Sequence, residues 1–273
     1  MNISVIIPTY NRQHQLSRSL DSVLAQTRPA DEIIVVDDGS NDETKKLIRE
    51  NYPQVHYLYQ DNKGVSACRN YGIRSATGDW LAFLDSDDEW LPNKLEVQMA
   101  ALLDHPEYQI AHTNEHWLRN GRLKNQQEKH RKYGGYIFRH CLPLCIISPS
   151  SVIIHRSVFD RIGLFDTAMT VCEDYDMWLR ISCRYTVLYI DEPLIIKHGG
   201  HADQLSQKYR GMDRYRIRAI QKVLESGLLS AEDRSAASAE LQEKISIYLT
   251  GARKHGNTSC VDEFERLATQ YGE

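Results

Sequence analysis

The sequence predicts an α/β protein with a mostly parallel central sheet flanked by helices. Three short apolar runs are each followed by a polar loop and then by apolar residues at helical spacing, which is the pattern of repeated βα units. A fourth apolar run, residues 79–84, leads into the acidic stretch Asp85-Ser86-Asp87-Asp88-Glu89. Ligands of such sheets bind at the carboxyl ends of the strands, so we expect these acids to line a binding crevice.

Composition excludes several classes of protein. The 273 residues suffice for one large domain, or for one domain with an appendage. A formal net charge of −4 argues against a general nucleic-acid binder. No apolar run approaches the roughly 20 residues that span a bilayer, so we expect a cytoplasmic protein, at most attached to the inner face of a membrane. Six scattered cysteines without C-x-x-C spacing favour reduced thiols over disulfides or a zinc site.

The first half of the chain places polar residues directly after each predicted strand. Residues 3–7 form the first strand, and residues 32–36 form the second, which is followed at once by Asp37 and Asp38. The third strand, residues 55–59, precedes a loop that enters a helix carrying Arg69. Because parallel strands end at one edge, we expect the Asp37 pair and the acidic stretch to open into one crevice.

The acidic stretch at residues 85–89 indicates a divalent cation. Clustered carboxylates repel one another, and a bound ion offsets that repulsion. Hard oxygen ligands suit Mg²⁺ or Mn²⁺, which commonly keep open positions for substrate phosphates. The alternative is a solvated acidic loop with no ligand.

Three classes of protein are unlikely on the motifs. The chain has no G-x-x-x-x-G-K-[ST], and no G-x-G-x-x-G follows the first strand, which argues against a P-loop NTPase and a dinucleotide oxidoreductase. A phosphorylatable receiver domain would carry its acidic pair after the first strand, where this chain has Pro8-Thr9-Tyr10-Asn11.

The second half predicts further strands and helices around a basic segment. We expect a helix at residues 92–103, strands at 109–118, 151–155 and 185–190, an extended run at 194–197, and polar helices from residue 209 onward. The basic segment, residues 119–139, is either a solvated loop or a flap that contacts a phosphate-bearing acceptor or the anionic face of a membrane. Its cations are Arg119, Arg122, Lys124, Lys129, Arg131, Lys132 and Arg139.

A second acidic cluster lies at the start of a predicted helix, residues 172–180. On a helix Glu173 and Asp176 share a face, and Asp176 can pair with Arg180. Asp174 points elsewhere and is the candidate general base, although acids in a first helical turn also simply complement the helix dipole. Further on, either His198 or His201 could supply a metal ligand, or both could be ordinary surface histidines.

Together these motifs resemble family-2 glycosyltransferases, enzymes with the GT-A fold. The resemblance rests on V-I-I-P-T-Y-N, V-V-D-D-G-S, G-V-S-A-C-R-N, a D-x-D-D after an apolar strand, and E-D-Y-D-M-W-L-R, all in the order of the family. It covers about the first two hundred residues. We therefore expect a GT-A domain at residues 1–204, with a nucleotide-binding half at 1–90 and an acceptor half at 91–204, and a helical extension at 205–273.

The resemblance also implies roles for individual residues. Asp174 corresponds to the catalytic base, and Arg69 to a contact with the diphosphate or the base. A manganese or magnesium ion is implied at Asp87 and Asp88, with His201 a better late ligand than His198. The implied binding residues for the nucleotide sugar are Pro8, Tyr10, Asn11, Asp37, Asp38, Arg69, Asp85 and Asp87.

The function that the resemblance implies is transfer of a sugar from a nucleoside diphosphate to an acceptor hydroxyl, with inversion at the anomeric carbon. A UDP-sugar donor and a saccharide or lipid-linked acceptor are favoured, in the synthesis of a bacterial surface polysaccharide or glycolipid. Two alternatives stay open. One is a catalytically silent scaffold that binds sugar nucleotides, and the other is a sugar nucleotidyltransferase, which would need a Gly-rich basic loop after the first strand.

Overall fold

The computed structural model describes residues 1–200, 211–256 and 260–272, which form one mixed sheet and its covering helices. The strands are β1 (Ile3–Thr9), β2 (Glu32–Asp37), β3 (His56–Tyr59), β4 (Trp80–Phe83), β5 (Glu89–Trp90), β6 (Ile110–Arg119), β7 (Arg122–Leu123), β8 (Ile153–His155) and β9 (Leu188–Gly199). The helices are α1 (Gln13–Leu24), α2 (Thr44–Asn51), α3 (Val65–Ser75), α4 (Lys94–Asp104), α5 (Phe138–Cys141), α6 (Arg156–Ile162), α7 (Glu173–Ser182), α8 (Asp213–Glu225), α9 (Ala231–Lys254) and α10 (Val261–Gln270).

The sheet confirms the predicted fold class and contains an antiparallel strand, β8, between β4 and β6. Strand order is β3-β2-β1-β4-β8-β6-β9-β5, with β7 pairing to β6. The first four strands are parallel, whereas β8 is antiparallel to both β4 and β6. Strand β6 therefore runs in the same direction as β1 and β4, and its long ladder with β9 is parallel. The carboxyl ends of β1, β2, β4 and β6 consequently meet at one edge.

Two predicted extended runs, residues 185–190 and 194–197, are one strand in the structure, which corrects the division made from the sequence. Strand β9 continues through Asp191-Glu192-Pro193, although proline lacks the N–H of a ladder. Its partner β6 accommodates this with register shifts on either side of Asn114, which lies opposite Pro193. A bulge thus restores pairing where the sequence indicated a break.

Alternating side chains of the parallel strands cover the two faces of the sheet. Ile6, Val36 and Phe83 belong to one core, which also contains Trp178 of α7 and the C-terminal helices. Val5, Val35 and Leu84 belong to the opposite core, against α1 and α4. This alternation follows from the two-residue period of a strand. The C-terminal helices share the first core through Ile217, Ile220, Leu241 and Ile245. The predicted domain boundary at residue 204 lies outside the described residues and stays a prediction.

Helix α3 lies unusually close to β1, and a glycine allows it. A Cβ on Gly72 would stand 2.4 Å from Cγ2 of Ile6, so no larger residue fits without a shift of the helix or of the Ile6 side chain. Arg69 lies one turn before Gly72. The close packing therefore brings the arginine over the carboxyl edge of the sheet.

One lysine in the core has no acidic partner among the described residues. Lys94 is fully buried at the start of α4, where its Nζ lies 2.6 Å from Oε1 of Gln98 and 4.0 Å from the ring centroid of Trp90. No carboxylate of the described residues lies within ion-pair distance of this ammonium group. Burial accordingly lowers the pKa of Lys94 well below its usual value.

Replacement of Lys94 by Met should raise the free energy of unfolding by about 1–3 kcal/mol at pH 7, because it removes an unpaired buried charge. A depressed pKa means that the destabilisation is present at neutral pH and fades as pH rises toward the ordinary lysine value of 10.5. In urea titrations, the gain in free energy of unfolding from Lys94→Met should thus shrink between pH 7 and pH 10. Lys45→Met, at an exposed position of α2, should change stability by less than about 0.5 kcal/mol at either pH; equal effects of the two substitutions would contradict the prediction.

Candidate functional site

A cavity of about 1250 Å³ opens at the carboxyl edge of the sheet. Its wall comes from the loops after β1, β2 and β4, the start of α3, the β6–β7 hairpin, the first turn of α7 and the end of β9. This volume exceeds that of a usual small-molecule pocket and suffices for two substrates at once. The two acidic clusters predicted from the sequence, at residues 85–88 and 173–174, both reach this cavity.

Asp38 shapes one end of the cavity by fixing a loop. Its carboxylate is buried and accepts hydrogen bonds from Nε2 of Gln60 at 2.6 Å and from the backbone N–H groups of Lys63 and Gly64 at 2.9 and 2.8 Å. Asp37, by contrast, is absent from the cavity wall. It accepts from the N–H of Ser40 and the hydroxyl of Tyr57, and so holds the turn after β2.

The predicted residues after β1 present an aromatic ring at the same end. Pro8, Tyr10 and Asn11 all line the cavity, and Tyr10 is 46% exposed. Asn11 has a left-handed backbone (φ 51°), and its Oδ1 accepts from the N–H of Asn41. The tied turn leaves the phenol ring of Tyr10 accessible to a flat ligand such as a nucleobase.

Each aspartate of the acidic stretch has its own partner. Asp87 pairs with Arg12 at 3.0 Å, and Asp85 pairs with Arg69 at 2.7 Å. Asp88 is buried, accepts from Oγ of Ser150 at 2.6 Å and from the N–H of His198 at 3.3 Å, and has its pKa raised well above the usual value by burial. Protein cations and hydrogen bonds therefore offset part of the repulsion that we expected a metal ion to offset.

Arg69 joins the two acidic clusters. Its guanidinium is 3% exposed and contacts Oε1 of Glu173 at 2.6 Å as well as Oδ1 of Asp85. The ring of Phe165 lies 5.3 Å from its Cζ. Burial raises the pKa of Glu173 to about 7, an effect that Arg69 opposes and the neighbouring Asp174 reinforces. One side chain thus ties the end of β4 to the beginning of α7.

Asp174 lies in the first turn of α7, after the left-handed Cys172 (φ 60°). It lines the cavity, and Oδ1 accepts from the N–H of Tyr175 at 2.7 Å. The thiol of Cys145 donates to Oδ2 at 3.3 Å. The predicted pair of Asp176 with Arg180 is present at 2.8 Å, so Asp176 serves packing while Asp174 faces the cavity.

Of the two predicted histidines, only His198 belongs to the described part of the chain. His198 lines the cavity, and its Nε2 lies 3.0 Å from Oε2 of Glu89. His201 lies outside the described residues. Its assignment as a metal ligand stays a prediction, as do the other roles carried over from the resemblance.

The side chains at the cavity suit a divalent cation held jointly with a substrate. Within the described ranges, no three His, Cys, Asp or Glu side chains converge as a complete metal site. Asp85 and Asp87 nevertheless line the cavity with partly exposed carboxylates. Magnesium and manganese are commonly bound by one or two carboxylates plus substrate phosphates, so this donor set fits such an ion.

Among the wall residues that sequence reasoning missed are Arg12, Lys63, Trp117 and Lys197. Burial opposes the charge of Lys197, but the neighbouring Glu115, Asp88 and Asp85 raise its pKa above the usual value. The sequence did contain a signal for Lys197, because this charged residue directly follows the apolar run 194–196. No comparable signal marked Arg12, which is 75 residues from its partner Asp87.

The basic segment divides into structural and solvent-facing cations. Lys132 pairs with Glu115 at 3.2 Å, both about 3% exposed, and Arg139 pairs with Asp233 of α9 at 2.7 Å. Arg119 and Lys124 line the cavity instead. No helix of the described residues is both long and apolar enough to cross a bilayer.

Comparison with known sequences gives one family. The profile described as Glycosyl transferase family 2 matches residues 4–163. An uncharacterized glycosyltransferase of Rickettsia prowazekii is 34% identical over 210 residues, which are 74% of this chain and 65% of that protein, so the chain spans less than two thirds of its relative. The Escherichia coli enzyme WfgD, a UDP-Glc:α-D-GlcNAc-diphosphoundecaprenol β-1,3-glucosyltransferase, is 32% identical over 66% of this chain and 69% of its own length.

Solved structures show the same fold at low sequence identity. S. aureus TarS (residues 1–349) in complex with UDP-GlcNAc superposes with a TM-score of 0.71 and 20% identity, over 94% of this chain and 75% of that one. The mannosyltransferase PcManGT from Pyrobaculum calidifontis, in complex with GDP-Man and Mn²⁺, superposes with a TM-score of 0.65 and 18% identity. The match covers 99% of this chain and 81% of that one.

Replacement of Arg69 by Met should lower the free energy of unfolding by about 3–5 kcal/mol, because it leaves Glu173 and Asp85 without their shared cation. Urea denaturation at pH 7 measures the loss. Arg74→Met removes an exposed arginine from the same helix and should change stability by less than about 0.5 kcal/mol. A loss below 1 kcal/mol for Arg69→Met would show that the bridge contributes little to folding.

Proposed function

Because the chain belongs to glycosyl transferase family 2, we propose that it transfers a sugar from a nucleoside diphosphate sugar to an acceptor hydroxyl, with inversion at the anomeric carbon. The observation that carries the proposal is that Asp174 and the acidic stretch 85–88 line one cavity large enough for donor and acceptor together. An in-line displacement needs a base on the face of the sugar opposite the leaving group, and two separate acidic clusters supply the required arrangement.

The donor binds at the end of the cavity formed after β1 and β2. Tyr10 offers a ring for the base, and the loop fixed by Asp38 presents Lys63 and Gly64 beside it. A UDP-sugar is the favoured donor, since TarS binds UDP-GlcNAc and WfgD is named for UDP-Glc. Arg12 and Lys63 add positive charge to this end, which suits a diphosphate.

Asp174 acts as the general base in this proposal. Its carboxylate removes the proton of the acceptor hydroxyl as the oxygen attacks the anomeric carbon, while the bond to the nucleoside diphosphate breaks and its oxygen takes the electron pair. The backbone N–H of Tyr175 and the thiol of Cys145 hold the carboxylate in one orientation. The bridge from Arg69 to Glu173 keeps the first turn of α7 at the carboxyl edge.

A manganese or magnesium ion, when bound, neutralises charge that develops on the departing diphosphate. Asp85 and Asp87 are the residues that would hold it, and PcManGT is a fold neighbour that binds Mn²⁺. Asp88 is the less suitable ligand, because both its carboxylate oxygens already accept protein hydrogen bonds.

The acceptor is proposed to be a lipid-linked saccharide in the synthesis of a bacterial surface polysaccharide or glycolipid. The name of WfgD, whose acceptor is a diphosphoundecaprenol-linked sugar, supports this class. The cationic side chains of the β6–β7 hairpin support it independently, since they add positive charge to the cavity beyond the donor end.

Asp174→Asn should lower kcat by about 10²–10⁴-fold, because the amide cannot accept the proton of the acceptor hydroxyl. Calorimetric titration with UDP should give an unchanged Kd. Asp160→Asn, the same change at an exposed position of α6, should leave both values unaltered. Retention of turnover by Asp174→Asn would remove this residue from the mechanism.

Nucleotide binding should depend on a divalent ion and on Asp87. Calorimetric titrations with UDP, GDP and dTDP, each with Mn²⁺ and then with EDTA, should show metal-dependent binding of UDP in preference to the other two. Asp87→Asn should weaken the metal-dependent part, because it removes a carboxylate ligand. Equal binding in Mn²⁺ and EDTA would contradict the metal assignment, and failure of every nucleotide to bind would contradict the proposed function.

A further inference from the structure

The β6–β7 hairpin lies across the cavity from the donor end. Strand β6 runs parallel to β4 and is separated from it by β8, on the side of β4 opposite to β1. Only Ile110 and Ala111 of β6 pair with β8, and the remainder continues beside β9 to the carboxyl edge. The hairpin therefore reaches the cavity from the side remote from Tyr10 and Asp38.

An aromatic ring in the cavity wall is held there by buried charges. The indole N–H of Trp117 donates to Oε1 of Glu115 at 2.7 Å, and the ring of His130 packs edge-on at 4.7 Å between centroids. Glu115 pairs with Lys132, whose Nζ also donates to the carbonyl of Ile146 at 2.9 Å. Burial works against the charge of Glu115, yet Lys197 and Lys132 outweigh it and lower the pKa of this carboxyl.

Two cations beside this ring have no acidic partner in the described ranges. Arg119 and Lys124 both line the cavity, and neither has a carboxylate within ion-pair distance there. The turn between them is tight, since Asn120 and Gly121 are both left-handed (φ 51° and 73°). The N–H of Lys124 bonds to the carbonyl of Trp117 at 2.8 Å. The tight turn thus places Trp117, Arg119 and Lys124 at neighbouring backbone positions of one hairpin.

A second anion, on the acceptor, would complement these charges. The donor end has its own cations, Arg12 and Lys63, which the proposed function assigns to the nucleoside diphosphate. A neutral acceptor would leave the hairpin cations without a role in binding. A sugar that carries a phosphate at its anomeric carbon supplies both a ring for Trp117 and a charge for Arg119 and Lys124.

We infer that Trp117, Arg119 and Lys124 form an acceptor subsite, which binds the phosphate or diphosphate of a lipid-linked sugar with its ring against the indole. This inference rests on the proposed function and locates its acceptor. The matched comparison within the hairpin is Arg122. It is exposed and carries the same charge two or three residues from the two cations, but it is absent from the cavity wall.

The test is calorimetric titration of octyl diphosphate into protein saturated with UDP and Mn²⁺, so that the donor end is already filled. Arg119→Ala and Lys124→Ala should each weaken binding by about tenfold, the usual effect of losing one charge-assisted contact. Arg122→Ala should stay within twofold of the unchanged protein. Octyl β-glucoside, which lacks the anion, should bind all four proteins equally.

Three outcomes would overturn the inference. In the first, octyl diphosphate does not bind to the UDP-saturated protein. In the second, all three substitutions weaken octyl diphosphate binding equally. In the third, the Arg119 and Lys124 substitutions weaken binding of octyl β-glucoside as much as binding of octyl diphosphate. Equal weakening would indicate general attraction of anions, as at a membrane surface. UDP binding is measured first, by the titration that saturates the protein, so a failure of the donor site, which concerns the proposed function, is distinguishable from a failure of the acceptor subsite.

Discussion

The balance of charge at the carboxyl edge is the constraint on which the site depends. Four carboxylates, those of Asp85, Asp87, Asp88 and Glu173, come together where β4 ends and α7 begins. Such a group is tolerable only with nearby cations and donors. Arg69 supplies the central cation, and Gly72, one turn further along α3, packs closely against Ile6 of β1. The packing of α3 on the sheet and the charge balance of the cavity are therefore linked through one helix.

Much of this arrangement could be predicted from the sequence. Parallel strands end at a common edge, so the positions of Tyr10, Asp38 and Asp85 followed from locating apolar runs. Helical spacing likewise separated Asp174 from the paired Asp176. The partners could not be predicted, because they join residues distant in the chain. Nothing local links Arg12 to Asp87 or Cys145 to Asp174, and only the packed sheet brings them within contact.

The basic segment shows how a uniform sequence pattern can conceal different physical roles. From composition its cations were equivalent, and a solvated loop was the commoner explanation beside a flap. In the structure Lys132 is a buried half of an ion pair, Arg139 fastens the segment to α9, and Arg119 and Lys124 face the cavity. Burial and distance separate these roles, and neither quantity can be read from a run of charges.

The length of β6 beyond its short pairing with β8 has a consequence for how such proteins diversify. The core depends on Ile110 and Ala111 at the beginning of this strand, whereas the tip, Arg119 to Lys124, is exposed and contributes nothing to either hydrophobic core. Substitutions of the exposed side chains at the tip should therefore leave both hydrophobic cores unaltered. If the hairpin binds the acceptor as we infer, evolution can revise it to suit a new acceptor while the proposed nucleotide-binding residues are inherited unchanged.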